Sequence, residues 1–477
     1  MTSMHSALKS LPVTLLATLG LCAESRAQVL FTEITAIDLA ATANPANPEF
    51  LGTNPSAVAW NGTQLFVSGQ NNSAGASAQN LPVSLVEILN PFTPTPTFGP
   101  VFGTIQNTPP VGRGYLGLDI DGSTLVASYD DGNQHPEGIA AYDLTGTQRW
   151  VKTARGSCGV AIDPGFGPGP NAPGSGVAFA QFGSGRRLLQ DIQSGADIYN
   201  TANGMIINTS EGTTWRDMDF DDATGDIWLR EGNNVIHGVR SGGNTMAFMN
   251  VVYDQVPDSD FIIQQNVAFC RTAAGSFVMW NSRATSSTNQ GFFQTVMAMR
   301  PDGAMLTTDW AGFSPNPGSA AYDFSFHSQT NTLALLDSYN RKVHIFAVSY
   351  VPYSQYGTGC VGSNGLTPEL SGAGLGTVGS TLTYQLRNGV SNGQAFVLLG
   401  LGQGNLTLYP GCDVLLAPIL PFSLGPIFLD GAGAGSTTLP ILSAAAGQTI
   451  TAQALFVDPA LPPFALTLSN GLRLDVP

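Results

Sequence analysis

Basic residues are scarce: the chain holds 18 Lys+Arg against 33 Asp+Glu, a net charge of −15. Two arginines recur in matched surroundings, Arg113-Gly114-Tyr115-Leu116-Gly117 ahead of Asp121 and Arg155-Gly156-Ser157-Cys158-Gly159 ahead of Asp163. Arg216, Gln264 and Gln265 fall near the corresponding place in other segments. A guanidinium grips a carboxylate or sulfate through two parallel N–H···O bonds, so Arg113, Arg155 and Arg216 brought together would hold an anion. Tyr115 and Trp215 stand beside them and would stack on a sugar ring. The competing use of each arginine is an ion pair with a neighbouring Asp. For the rings it is packing between sheets.

The aspartates form a second set. Asp119 and Asp121 match Asp219 and Asp221 in a later segment, with Asp217 and Asp323 aligned one step earlier. Alternation along a strand puts them opposite the apolar face. Asp119, Asp217 and Asp219 would suit Ca²⁺, which takes oxygen ligands, and no other cofactor is indicated. Asp217-Met218-Asp219-Phe220-Asp221 starts like an EF-hand loop but lacks the sixth-position glycine and the distal Glu, so that loop is excluded. The alternative role is to cap turns and accept backbone N–H bonds. His135, His237, His327 and His344 are dispersed, and His327 aligns with Asp121, Asp163 and Asp221. No CxxC, HExxH, GxSxG or phosphate-loop spacing occurs.

The elements that position these groups read as strands. Between Gln28 and Tyr350, short β-prone runs alternate with Gly, Asn, Asp, Pro and Ser clusters. Six segments share a strand, a tight polar turn and a second strand, with bulky residues Trp60, Ile120, Ile162, Phe220, Phe269 and Phe326 in equivalent positions. Two residues earlier come Val58, Leu118, Val160, Met218, Val267 and Phe324, so period-two alternation gives each first strand one apolar face. Further strand pairs are expected at Gly138–Val151 and around the Pro301-Asp302-Gly303 turn of Thr295–Thr308. Four strands per unit at roughly 50-residue spacing is the arithmetic of a propeller blade. The last unit ends at Lys342–Ser349 without a fourth strand, which Val29–Ile37 would supply. The turn Asp222-Ala223-Thr224-Gly225-Asp226-Ile227-Trp228 resembles that of NHL-type and related six-bladed β-propellers. The resemblance is to an architecture and implies no particular activity.

From Val351 onward the character changes. Residues 352–477 contain no His or Lys, and Arg387 and Arg473 face Glu369, Asp413, Asp430, Asp458 and Asp475. Short apolar runs between Gly, Asn and Pro predict an antiparallel β-sandwich. Cys360 and Cys412, each preceded by glycine, are expected to be bridged, whereas Cys158 and Cys270 read as inert core thiols. Tyr356–Leu370, Gly411-Cys412 and Ser469–Val476 resemble a C-terminal module recurrent in large secreted bacterial proteins, which implies export and attachment rather than chemistry.

Residues 1–27 have the layout of a secretory signal peptide: Lys9, an apolar run from Leu11 to Leu21, and Ser25 and Ala27 as small residues before Gln28. That run is too short to span a bilayer, and no later stretch is long enough, so no transmembrane segment is expected in the mature chain. Charged residues make up 11%, about half the usual ~25%. The acidic balance repels nucleic acid. The sequence thus predicts an all-β protein, a signal peptide (1–27), a six-bladed β-propeller (28–350) and a small antiparallel β-sandwich (351–477). The expected protein is secreted, at the cell surface or periplasmic, and non-catalytic. Its propeller loop face would bind an extracellular glycan, an anionic one first, or another cell-surface component. A secreted hydrolase or lyase with a site at the channel mouth, and a structural coat or matrix protein, are the alternatives.

Overall fold

The structure is a computed structural model that describes residues 28–71, 81–106, 114–130, 138–153, 157–163, 176–181, 187–199, 215–231, 234–242, 245–253, 266–283, 293–301, 303, 305–313, 322–351, 353–374 and 376–476. It is built from strands, and residues 27–352 and 353–477 form two compact units. Among the described residues no helix is long and apolar enough to cross a membrane.

The larger unit is a propeller: a succession of antiparallel meanders, each paired strand to next strand. Asn54–Trp60 opens the first, followed by Leu65–Gln70, Pro82–Leu89 and Thr97–Gln106. The next three meanders open with Gly114–Asp121, Ser157–Asp163 and Trp215–Phe220. Among the described residues, Val267–Thr272 and Tyr322–His327 open two more. Each opening strand packs against the opening strand of the following sheet, and Tyr322–His327 returns to Asn54–Trp60.

Period-two alternation explains that packing. Val58 and Trp60 turn one way, into a core shared with Ala334, Leu336 and Ile345 of the last sheet. Ala57 and Ala59 turn the other way, toward Tyr115, Leu118 and Tyr129 of the second meander. Val267 and Phe269 face back onto Trp228 and Val235, while Ala268 faces forward with Phe324 and Leu335. The core is therefore distributed between sheets, and each large apolar side chain buried there contributes about 1.5–3 kcal/mol.

The N-terminal strand closes the last sheet. Val29–Asp38 runs antiparallel to Lys342–Tyr350, with Val29 opposite Tyr350 and Asp38 opposite Lys342. One expected hairpin does not form as predicted. Met299 and Met305 share a single bridge across the Pro301 turn, and Thr308–Ala311 leaves its own sheet to pair in parallel with Val29–Thr32. Stacking of Trp310 on Phe31, with ring centroids 3.9 Å apart and planes within 10°, anchors that departure.

In residues 353–477 a five-stranded sheet runs in the order Tyr353–Tyr356, Leu466–Asp475, Thr449–Val457, Gln394–Gly400 and Ile419–Phe428. A three-stranded sheet of Glu369–Ala373, Thr381–Arg387 and Gly435–Pro440 shares a core with it through Leu382, Leu386, Val397, Ala454 and Phe456. Cys360 and Cys412 form a disulfide that ties the segment after Tyr356 to the hairpin Gln403–Tyr409/Cys412–Leu416.

Candidate functional site

The polar groups that the structure brings together are those on the opening strands of the propeller. Asp119 precedes Ile120, and its Oδ2 accepts the Ile162 N–H of the next sheet at 2.6 Å while Oδ1 accepts the Ile120 N–H at 2.7 Å. Asp219 repeats this pattern on Phe269 (2.7 Å) and Phe220 (2.8 Å). Two residues earlier, Asp217 accepts the Val267 N–H at 2.9 Å. In the last meander Asp323 accepts the Val58 N–H at 2.7 Å and a bond from Asn266 Nδ2. Ser325 Oγ accepts the Trp60 N–H at 2.9 Å. Every acceptor reaches a backbone N–H of the following sheet's opening strand, so these side chains clasp sheet to sheet.

The carboxylate and hydroxyl clasps recur on alternate meanders. The second, fourth and sixth meanders carry Asp119, Asp217/Asp219 and Asp323/Ser325 on the forward face. The first, third and fifth carry Ala57/Ala59, Gly159/Ala161 and Asn266/Ala268 there. The seams that follow these residues are also crossed by side chains: Ser56 Oγ donates to Tyr115 O at 2.6 Å, and Asn266 Nδ2 donates to Asp323. Close backbone approach accompanies the Asp119 clasp itself, where a Cβ on Gly117 would lie 3.1 Å from Gly159 Cα. Ser325 and Asn266 were not singled out from the sequence, although they stand one and three positions before the bulky residues of their repeats.

Burial and mutual repulsion govern the charge of this girdle. Burial, opposed by the two backbone N–H bonds and reinforced by Asp222 and Asp121, raises Asp119 from 3.8 to about 7. Burial likewise raises Asp323 to about 7 against the bonds from Val58 and Asn266. Asp217 is pushed well up by burial and then by Asp323, and Asp219 by burial and then by Asp119. The donor set does not suit Ca²⁺. Oxygens of Asp119, Asp217 and Asp219 are turned onto backbone N–H groups, and among the described residues no three His, Cys, Asp or Glu side chains gather to hold a metal. Ca²⁺ wants six to eight oxygens.

At the turn end of the opening strands, Asp221 caps its own turn by accepting from the Ala223 N–H and Thr224 Oγ1, both at 2.9 Å. Arg271 of the next sheet closes on both carboxylate oxygens of Asp221. The histidines described have local partners as well. His237 Nε2 lies 3.2 Å from Asp226 Oδ2 and its ring stacks on Trp228 at 4.1 Å. His327 Nδ1 lies 2.7 Å from Thr330 Oγ1, and His344 Nδ1 lies 2.6 Å from Glu33 Oε1.

The arginine set is placed differently. Arg113 and Arg155 lie outside the described residues, as does His135. The strand carrying Trp215 and Arg216 is described, but their side chains are not. Tyr115 corrects an expectation: it is 1% exposed, packed with Phe66, Tyr129 and Tyr142. A ring so enclosed has no face left for a sugar. A cavity of about 340 Å³ lined by Thr42, Asn47, Glu49 and Phe98 contains none of the expected ligand residues.

No family model matches the chain, and no curated protein matches it. Solved structures similar to it include the β-propeller domain of Cps50 (Swd1) from Myceliophteria thermophila, at 12% identity and a TM-score of 0.35, covering 62% of this chain and 84% of that one. An auxiliary nutrient binding protein from Bacteroides ovatus is similar at 12% identity and a TM-score of 0.42, over 68% and 78%. A functionally unknown protein from Desulfotomaculum acetoxidans is similar at 13% identity and a TM-score of 0.36, over 61% and 86%.

Proposed function

We propose that the chain is an exported, non-catalytic binding protein. Its residues 28–350 form a six-bladed propeller of NHL-like type, and residues 351–477 form a β-sandwich used for attachment or assembly. The observation that carries the non-catalytic reading is the engagement of the opening-strand carboxylates. Asp119, Asp217, Asp219, Asp323 and Asp221 hold backbone, turns or an arginine, which is structural work. A general base needs a free lone pair within reach of a substrate proton. The ligand face is the end where the chain enters the opening strands, because Arg113 and Arg155 come just before those strands in sequence and the turn end is acidic, with Asp121 and Asp222 beside one another. The ligand class is an anionic extracellular glycan held by Arg113, Arg155 and Arg216.

Thermal unfolding of residues 28–477 against neutral and acidic oligosaccharides tests this. A ligand at ~100 Kd adds ~2.7 kcal/mol. The expected result is a rise in midpoint with an acidic glycan that Arg113→Ala/Arg155→Ala abolishes. No rise with any glycan would leave the structural reading.

A further inference from the structure

We propose that the cavity between the Ala40–Ala43 turn and the start of Thr97–Gln106 binds a small organic amine, held as its ammonium by Glu49 with an apolar stem against Pro96 and Phe98. The site is independent of the anionic-glycan reading and shares none of its residues.

The cavity measures about 340 Å³, at the lower end of the ~300–1,000 Å³ common to small-molecule sites. Its walls come from residues 41–49 and 96–98, both in the propeller unit. The first wall is tied down bond by bond. The Thr42 N–H and Oγ1 both donate to Leu39 O, and the Thr42 carbonyl accepts the Leu51 N–H at 3.1 Å. Asn47 Nδ2 donates to Ala41 O at 3.0 Å. The Phe50 N–H donates to Asn47 O, and the Ser84 N–H to Phe50 O, which fixes the segment to the first meander.

That bonding decides which polar groups are left for a ligand. The Thr42 hydroxyl proton and one Asn47 amide proton are committed to the wall. Among the described residues, no donor reaches Asn47 Oδ1 or the half-buried Glu49 carboxylate. The unfilled atoms are therefore mainly acceptors, one of them charged, beside the apolar surface of Pro96 and half-buried Phe98. An alkylammonium answers this set: it has three N–H donors, no acceptor and a positive charge. A carboxylate or phosphate would meet like charge at Glu49, and Ca²⁺ would find too few of the six to eight oxygens it takes. A chain of net charge −15 also draws cations to its surface. Ala41 and Thr97 are exposed, so the cavity is reached from solvent.

Calorimetric titration of the full chain with n-pentylamine at physiological ionic strength tests the site, with 1-pentanol as the uncharged counterpart. The expected result is saturable binding of the amine that is about tenfold weaker or worse in Glu49→Gln, as for loss of a charge-assisted hydrogen bond. Phe98→Ala should also weaken it, and 1-pentanol should bind far less. Glu49→Gln keeps the side chain's size and breaks no bond, so its melting midpoint should match the wild type. Glu369→Gln, the same change at an exposed position in the other unit, should leave binding intact. No saturable binding, or binding that Glu49→Gln leaves unchanged, would overturn the site. An equal loss in Glu369→Gln would reduce the effect to net charge and overturn it too, and equal binding of 1-pentanol would overturn the ammonium assignment.

Discussion

Lowering the pH from about 7.5 to about 5 is expected to stabilise the propeller unit. In the folded chain Asp119 and Asp323 are raised from 3.8 to about 7, chiefly by burial. Between those values the unfolded chain has released both protons while the folded chain keeps them. The folded state therefore binds more protons, and stability falls as pH rises. The contribution is fully present below the unfolded value near 4 and lost as pH passes through 7. A three-unit shift is worth about 4 kcal/mol per group at most, and water reaching the partly exposed Asp119 trims its share. Asp217 and Asp219 are raised in the same sense. Asp143, lowered to about 2 by its hydrogen bonds to Thr145 and Thr147, acts oppositely and only at lower pH. Urea unfolding at fixed ionic strength across pH 5 to 7.5 reads the slope, and Asp323→Asn should flatten it. A stability that rises with pH over this range would contradict the charge state assigned to the girdle.

Breaking the Cys360–Cys412 disulfide is expected to cost the C-terminal unit about as much. The bridge closes a segment of sequence separation 52, and chain entropy alone assigns such a loop about 4 kcal/mol. Its surroundings point the same way: both sulfurs are buried against Val414, Leu416 and Leu468. The local contacts depend on the hairpin staying down. Gln453 accepts the Leu415 N–H at 2.9 Å and donates to Asp413 O at 3.0 Å, so the hairpin is stitched to the sheet beneath it. Hydrogen exchange on the full chain, before and after Cys360→Ala/Cys412→Ala, checks this. Amides of Thr449–Val457 should lose protection while those of Thr332–Asp337 in the propeller keep theirs. Equal exchange in both states would mean that the bridge is ornamental.

Much of the propeller was legible because its repeat carries a bulky residue at one register. Trp60, Phe220 and Phe269 announce the strands, and their neighbours at alternate positions announce the faces. The closing role of Val29–Ile37 was legible from a missing strand at the other end. The fate of Thr308–Ala311 was not, since it depends on Trp310 meeting Phe31 across a separation that no local pattern encodes. The aspartates were visible as an aligned set, yet their partners are main-chain N–H groups, which every residue but proline has. Spacing therefore could not separate a metal cage from a clasp. Tyr115 misled for a related reason: proximity to Arg113 in the chain says nothing about the alternation that turns the ring into the core.

The central claim is that the girdle carboxylates hold one sheet to the next. Amide hydrogen exchange at Phe269, compared between the wild-type chain and Asp219→Ala, tests it most directly, with Ca²⁺ added to each in parallel. The clasp predicts that the Phe269 N–H loses protection selectively in Asp219→Ala, that distant amides such as Leu335 hold theirs, and that Ca²⁺ changes neither protein. Unchanged protection at Phe269, together with a Ca²⁺-dependent gain in the wild type that Asp219→Ala lacks, would contradict it.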